Sequence, residues 1–486
     1  MSTLAILILV VFCINIACVI TMIFVERKKP HLIASWFIVL TFLPILGFII
    51  YSLVGSGLSI KTKRMLKKKR LRAKEYEDFV KEQKRRFTAR NISDEEKNFL
   101  DITLFNLNNT NSSYFKNNFV KLFLNGPEKI ESLKKDLLKA KHSINLLYYI
   151  FADDEVGNEI MEILVKKAKE GVKVKLIYDS FGCLRTKRKF FKQLVEAGGE
   201  IAEFFPLLFE LKLFSFKANY RNHKKIVVID GRIGYTGGIN IRDDHMGKHK
   251  RLSPWRDTSI KIVGNAVHDL QVAFFNDWRY LKNINTNMNL LNSEGFFPKL
   301  GSYGNVGCQI VTSGPDHSNQ PIKESLMKMI LSAKEKILIQ TPYFVPDEAM
   351  TSSLKIAAMS GVSIKIMIPA KPDKKIVFNA TLSYVKDLLQ TPNIEFYAYK
   401  GFLHSKTVLI DNKVVSIGSC NFDNRSFALN FEIDAFLFDK EFVEQNANYF
   451  AKDLESCKKI ESSFFKRKPY FNRFSQAILR LFAPLL

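Results

Sequence analysis

The chain is short of cysteine and short of acid. Six Cys in 486 residues stand apart at 13, 18, 183, 308, 420 and 457, with no C-x-x-C pair. That argues against a disulfide framework and against a cysteine zinc site, and reads as reduced, mostly buried thiols in a reducing compartment. Asp and Glu number 48 against 73 Lys and Arg, giving a net charge of +25. Such an excess points to an anionic partner, either nucleic acid or an acidic membrane surface, and does not choose between them. No cluster of carboxylates suggests a metal site. The first apolar run lacks a basic n-region and a small-residue cleavage site, which argues against a secretory leader.

That run, residues 3–25, carries no charge and only Thr3, Asn15 and Thr21 as polar residues. At about 1.5 Å per residue it is long enough to cross a hydrocarbon layer of about 30 Å. A short polar turn, residues 26–31, leads to a second apolar run, residues 32–54, which contains Pro44 and Gly47. Both residues are tolerated in membrane helices. The expectation is a transmembrane helical hairpin over residues 1–58; a buried pair of core helices is the alternative. Between Lys61 and Lys74 stand nine Lys or Arg and no acid. The positive-inside rule puts this side in the cytoplasm, and such a cluster also attracts anionic headgroups. Residues 59–110 are expected to form a basic, largely helical linker.

With 47% apolar residues the chain can build large cores, and its length calls for two or three domains. Beyond about residue 110, β-rich apolar runs alternate with amphipathic segments, an α/β pattern. The pattern occurs twice. Ala140–Leu146 resembles Ala333–Ile339, and Gly171–Ile177 resembles Gly361–Met367. Two halves are expected, 111–300 and 301–486, with the break at the Pro- and Gly-containing stretch 298–304.

The repeat carries chemistry. His223, Lys225 and Asp230 stand in the order H-x-K-x-x-x-x-D, and the order returns 181 residues on at His404, Lys406 and Asp411. In each copy an Asn, Asn240 or Asn421, follows 17 residues after the His. His223 and Lys225 are expected on one face of a strand. The Asp ends that strand and holds a turn. The returning strands, 233–236 and 414–417, then bring the Asn beside the His–Lys face. If the halves pack with pseudo-two-fold symmetry, two His, two Lys and two Asn converge on one phosphate. That set suits phosphoryl transfer through a covalent His intermediate.

These residues resemble the phospholipase D superfamily, and within it the bacterial cardiolipin synthases. The resemblance covers nearly the whole chain. It rests on Asn219–Lys225, Pro254–Thr258, Thr341–Asp347, Asn421–Phe427, Leu429–Glu432 and the ending Arg480–Leu486, besides the hairpin and the paired motif. One departure is Leu147, where the family often has Glu before a paired Tyr.

The resemblance implies two pseudo-symmetric phospholipase D-like α/β domains with mixed β-sheets, behind the N-terminal hairpin. It implies a multi-pass protein of the bacterial cell membrane with its catalytic domains on the cytoplasmic side. In the superfamily one His attacks phosphorus and the other protonates the leaving alkoxide. Here His223 is the expected nucleophile and His404 the general acid, then base. Lys225, Lys406, Asn240 and Asn421 would hold the phosphoryl oxygens, with no metal and no cofactor. Asp257 is expected to orient His223, and Glu432 to orient His404. The implied reaction moves a phosphatidyl group from one phosphatidylglycerol to another, giving cardiolipin and glycerol, with lipids as partners and no nucleic acid. Four alternatives stay open: hydrolysis, phosphatidylethanolamine as donor, nuclease action, or a lipid-binding scaffold without activity. Two further segments suit lipid contact. The aromatic stretch 204–220 fits a bilayer-dipping loop as well as a core strand, and 470–486 fits an interfacial helix as well as one docked on the core.

Overall fold

The computed structural model describes residues 3–24, 30–51, 55, 58, 60–70, 74–206, 219–285, 292 and 295–466. Most of the aromatic stretch and the C-terminal segment 470–486 lie outside these residues. Phe204, Phe205 and Tyr220, at the ends of the aromatic stretch, are buried.

Three helices open the chain: α1 (Thr3–Phe24), α2 (Pro30–Phe42) and α3 (Pro44–Ile50). The second apolar run breaks at Pro44 because proline has no N–H to give the carbonyl of Leu40. Asn15 of α1 fills that need: its Nδ2 donates to the Leu40 carbonyl at 3.0 Å and to the Pro44 carbonyl at 3.2 Å. Among the described residues no helix is long and apolar enough to count as a membrane span.

The basic linker forms α4 (Ile60–Lys69) and α5 (Lys74–Thr88), and it is docked rather than free. The Lys69 carbonyl accepts from Arg279 at 2.7 Å, and Arg70 pairs with Asp316 at 2.7 Å. In α5, Gln83 bonds both backbone groups of Tyr114, at 2.7 and 2.9 Å.

The first half contributes β1 (Phe115–Phe123), β2 (Ser143–Tyr148), β3 (Lys173–Asp179), β4 (Glu200–Phe204), β5 (Ile226–Ile229), β6 (Ile233–Gly237), β7 (Trp255–Arg256) and β8 (Ser259–Val263). The second contributes β9 (Val306–Ser313), β10 (Lys336–Gln340), β11 (Phe344–Val345), β12 (Ser363–Pro369), β13 (Ile394–Tyr399), β14 (Phe402–Leu403), β15 (Thr407–Ile410), β16 (Val414–Gly418), β17 (Phe422–Asp423), β18 (Glu432–Phe438) and β19 (Cys457–Ile460). The long strands join in one 15-stranded sheet, β19-β13-β12-β10-β15-β16-β18-β9-β1-β8-β6-β5-β2-β3-β4. Read outward from its centre, the first half runs β1-β8-β6-β5-β2-β3-β4 and the second β9-β18-β16-β15-β10-β12-β13. Seven strands of each half therefore correspond in order, and β19, without a counterpart among the described residues of the first half, extends the second edge. The expected pair of sheets is a single sheet, because β1 and β9 pair antiparallel edge to edge, and neither inner edge is left open.

β2, β3 and β4 pair in parallel, and β5 returns antiparallel against β2. All four residues of β5 are buried. Ile226 and Val228 pack in one apolar layer, Val227 and Ile229 in the other, as alternation across a two-sided sheet requires.

Candidate active site

His223 and Lys225, and likewise His404 and Lys406, stand just before their strands rather than within them. Ile226, the first residue of β5, pairs with Leu147 near the end of β2, and Thr407 of β15 pairs with Gln340 at the end of β10. What holds the preceding chain is the opposite half. The His223 N–H donates to the Phe431 carbonyl at 2.9 Å, and the His404 N–H to the Arg256 carbonyl at 2.7 Å. β7 runs parallel to β14, and Asn222 bridges to Phe431 in the same sense. Phe431 precedes Glu432, and Arg256 precedes Asp257. Each His is thus hung on the carbonyl just before an acid of the other half.

The rings follow the backbone. His404 Nδ1 lies 2.6 Å from Asp257 Oδ2, and His223 Nδ1 lies 3.5 Å from Glu432 Oε1. The expected pairing, Asp257 with His223 and Glu432 with His404, is therefore corrected to the crossed one. The reason is the face-to-face packing: the loop leaving β7 and the start of β18 each reach past their own half. Both acids are fully buried and further held. The Thr258 N–H donates to Asp257 at 2.8 Å, and Ser419 Oγ donates to Glu432 at 2.5 Å.

Lys225 Nζ donates to the His223 carbonyl at 2.6 Å, and Lys406 donates in the same way to the His404 carbonyl. Asn240 accepts from the Ile150 N–H at 3.2 Å and turns its amide toward His245 Nε2 at 3.2 Å. Asn421 Oδ1 is buried without a partner among the described residues. Asp230 and Asp411, the third letter of the catalytic motif and expected to hold a turn, sit at the far ends of β5 and β15. Asp230 accepts from the N–H groups of Lys141, His142 and Ser143 at 2.8–3.2 Å. Asp411 does the same for Lys334, Glu335 and Lys336 at 2.8–3.3 Å. Both have positive φ, 51° and 49°, a conformation Asp tolerates better than most residues. They fasten the turn to the start of the neighbouring strand.

Burial sets the charge states. It drives His223 well below the ordinary imidazole value, helped by Lys225, Arg425, Lys374 and Lys406. It drives His404 down to about 3, with Lys406 adding to the effect and Asp257 opposing it. Lys406 falls to about 7 by burial. Lys225 is likewise pushed down by burial and Glu432 pushed up by it, each resisted by the other. Burial would raise Asp257, but His404 and Lys406 outweigh it and hold the carboxyl well below its usual range. Burial thus weakens the charge of both Lys despite the carboxylates around them, and an anion between them would restore it.

Some residues of the site lie outside the repeated motif. His245 is buried, with Nδ1 3.4 Å from Asp257 Oδ2 and its ring 5.1 Å from that of His404. It exists in one half only; the matching position, five residues after Asn421, is Ser426, so a search for repeats passes over it. The Tyr149 ring lies 4.1 Å from that of His223. Leu147, the departure from the family pattern, is fully buried in the core, where its counterpart Gln340 instead accepts from Ser405 and Thr407 at 3.2 and 3.3 Å. Among the described residues one group of side chains is placed to hold a metal ion: His245, Asp257 and His404, with ligand atoms within 4.8 Å of one another. Lys406 opposes a cation there, since its charge already lowers the pKa of both His.

Residues 133–252 and 326–454 match the family described as cardiolipin synthase, PLD-like domain. The chain belongs to the cardiolipin synthase family of the phospholipase D superfamily. Residues 13–56 match the family described as phospholipase D-nuclease N-terminal. The chain is 41% identical to a cardiolipin synthase of Oceanobacillus iheyensis over 479 residues, covering 98% of both chains. It is 39% identical to the major cardiolipin synthase of Bacillus subtilis over 492 residues, covering both chains completely. The fold is similar to that of a phosphatidylserine synthase from Haemophilus influenzae, with a TM-score of 0.59 at 15% identity, covering 79% of this chain and 97% of that one. As a member of this family the chain is an enzyme, a phosphatidyltransferase of the phospholipase D type.

Proposed function

We propose that the enzyme transfers a phosphatidyl group from one phosphatidylglycerol to another through a phosphatidyl-His223 intermediate, giving cardiolipin and glycerol. The observation that carries this reading is the pair of crossed His–carboxylate contacts, with both motif Lys in the same buried pocket. The field favours different roles for the two His. Burial, with the charges of Lys225, Arg425, Lys374 and Lys406, keeps the His223 imidazole neutral and able to attack. His404 faces the ionised Asp257 at 2.6 Å, which supports an imidazolium as it forms.

In the first step His223 Nε2 attacks phosphorus and the bond to the glycerol oxygen breaks. His404, protonated as the anionic phosphodiester enters beside the ionised Asp257, gives that proton to the leaving oxygen. In the second step the terminal hydroxyl of another phosphatidylglycerol gives its proton to His404 and attacks phosphorus, and the N–P bond breaks. Lys225, Lys406, Asn240 and Asn421 stabilise the phosphoryl oxygens; such donors are commonly worth about 3–4 kcal/mol each. Holding the acceptor lipid in a membrane concentrates it, and partial exclusion of water favours transfer over hydrolysis.

The same reading places α1–α3 in the membrane as a hairpin, with the catalytic halves on the cytoplasmic side. Its support is a charge-free α1 of 22 residues and large apolar side chains turned outward along all three helices, such as Phe12 at 60%, Phe24 at 72% and Phe42 at 79% exposure. Patches of this kind mark a lipid or protein partner.

The test is purified protein in lipid–detergent micelles with radiolabelled phosphatidylglycerol. Cardiolipin with free glycerol is the expected product pair. Phosphatidic acid alone would make water the acceptor and sink the transferase reading.

A further inference from the structure

The loops after β3 and β12 differ in a way the duplication does not require. The two strands are equivalent, 190 residues apart, yet Phe181 and Leu184 in the first loop correspond to Lys371 and Lys374 in the second. Phe181 is 53% and Leu184 62% exposed, on a loop with no acid between residues 181 and 195 and with Arg185, Lys187 and Lys189 close behind. The second loop ends in Lys374, and the helix after it opens with Lys375 and Ile376, the latter 57% exposed; the neighbouring Asp373 accepts from the Tyr343 hydroxyl at 2.5 Å. Apolar tips flanked by cations are the pattern of a segment that rests in the headgroup layer of an anionic membrane.

The first loop is tied to the catalytic centre by hydrogen bonds, and the second lies close enough for its charge to act there. Asp179, fully buried, accepts from the N–H groups of Phe181 at 2.9 Å and Gly182 at 3.1 Å. Its other oxygen accepts from the Asn222 N–H at 2.9 Å, one residue before His223. Gly182 packs so closely on the Tyr149 carbonyl that a Cβ there would lie 2.0 Å from it, and the Tyr149 ring lies against His223. On the other side, Lys374 lies over the Tyr343 ring at 5.4 Å and its charge bears on His223.

We propose that these loops form the rim that seats the catalytic pocket on an anionic phospholipid bilayer, with Phe181 and Leu184 entering the acyl boundary and Lys374 and Lys375 meeting the headgroups. The inference rests on the lipid-transfer reading above. A lipid then reaches His223 without its acyl chains crossing water.

The experiment uses the full chain in nanodiscs of phosphatidylglycerol and phosphatidylcholine, and, separately, dihexanoyl phosphatidylglycerol below its micelle concentration. The double variant Phe181→Ser, Leu184→Ser is expected to lose tenfold or more in turnover of the bilayer substrate and less than twofold on the monomeric one. The variant Phe181→Trp, Leu184→Phe is expected to keep both activities. Equal loss on both substrates, or no loss on the bilayer, overturns the proposal. A second readout needs no turnover: doxyl-labelled lipids should quench more fluorescence in Phe181→Trp than in the wild type. Absence of that extra quenching refutes the rim, whereas absence of cardiolipin from wild-type protein with quenching intact refutes the transfer reading instead.

Discussion

His404 Nδ1 and Asp257 Oδ2 lie 2.6 Å apart across the boundary between the two halves. The mirror contact, His223 to Glu432, is looser at 3.5 Å. The site is therefore composite in a strong sense. Each half supplies a His, but the group that orients it belongs to the other half, and so does the carbonyl on which its backbone hangs. Neither half alone holds a complete dyad.

Asp257→Asn is expected to reduce cardiolipin formation by about 10³- to 10⁴-fold, the scale seen when a His loses its orienting carboxylate and the right tautomer. Glu432→Gln is expected to cost about tenfold less, because at 3.5 Å the contact is too long for a good hydrogen bond. Initial rates on folded protein, checked by circular dichroism, decide this. A loss below tenfold for Asp257→Asn would remove the dyad from the mechanism.

Anion affinity should fall as pH rises. Lys406 is charged below its lowered value of about 7 and neutral above it. Glu432, pushed up by burial, gains negative charge in the same direction. His404, at about 3 in the free protein, gains its proton only with the bound anion, so its share of the affinity also falls as pH rises. Sulfate is a suitable probe because its own charge is fixed between pH 6 and 9. Its dissociation constant, measured by calorimetry, should rise by about tenfold per pH unit above 7 for one linked proton. Lys406→Gln should bind sulfate weakly at every pH with a flatter profile.

Much of this was legible in the residues, for identifiable reasons. The H-x-K-x-x-x-x-D repeat, the Asn 17 residues on and the apolar alternation of 226–229 are local, and they survive folding almost unchanged. The partners of the His were not legible, since Asp257 and Glu432 find their rings only through the packing of one half on the other. The joining of β1 to β9 is hidden for the same reason. His245 was missed because symmetry was the guide and this residue breaks it.

Asp230 and Asp411 carry the third letter of the motif, yet their work is mechanical. Asp230→Ala removes the acceptor of three backbone N–H groups and puts a Cβ-bearing apolar residue at φ 51°. A loss of about 2 kcal/mol in unfolding free energy is expected, with turnover per folded molecule changed less than threefold. Asp230→Asn should be milder, because Asn tolerates this conformation and still accepts. Chemical denaturation read beside activity separates the two effects. A folded, stable and inactive Asp230→Ala would return the residue to the catalytic set.

Gly238 gives the sharpest contrast between site and scaffold. Its backbone lies outside the left-handed region, so alanine brings no strain of its own. The added Cβ would, however, lie 2.1 Å from Asp257 Oδ1 and 3.0 Å from its Cγ. The carboxylate must move, and the 2.6 Å contact with His404 moves with it. Gly238→Ala is therefore expected to fall toward the activity of Asp257→Asn while keeping most of its stability. Gly171 is the opposite case: its φ is +86° and nothing lies within 4 Å of the added Cβ. Gly171→Ala should lose about 1 kcal/mol of stability from backbone strain and keep its turnover. Measured together, the two alanines should exchange their effects, one silencing the enzyme and the other only softening it. Full activity in Gly238→Ala would mean that Asp257 has room to spare and that its placement beside His404 is not what the reaction depends on.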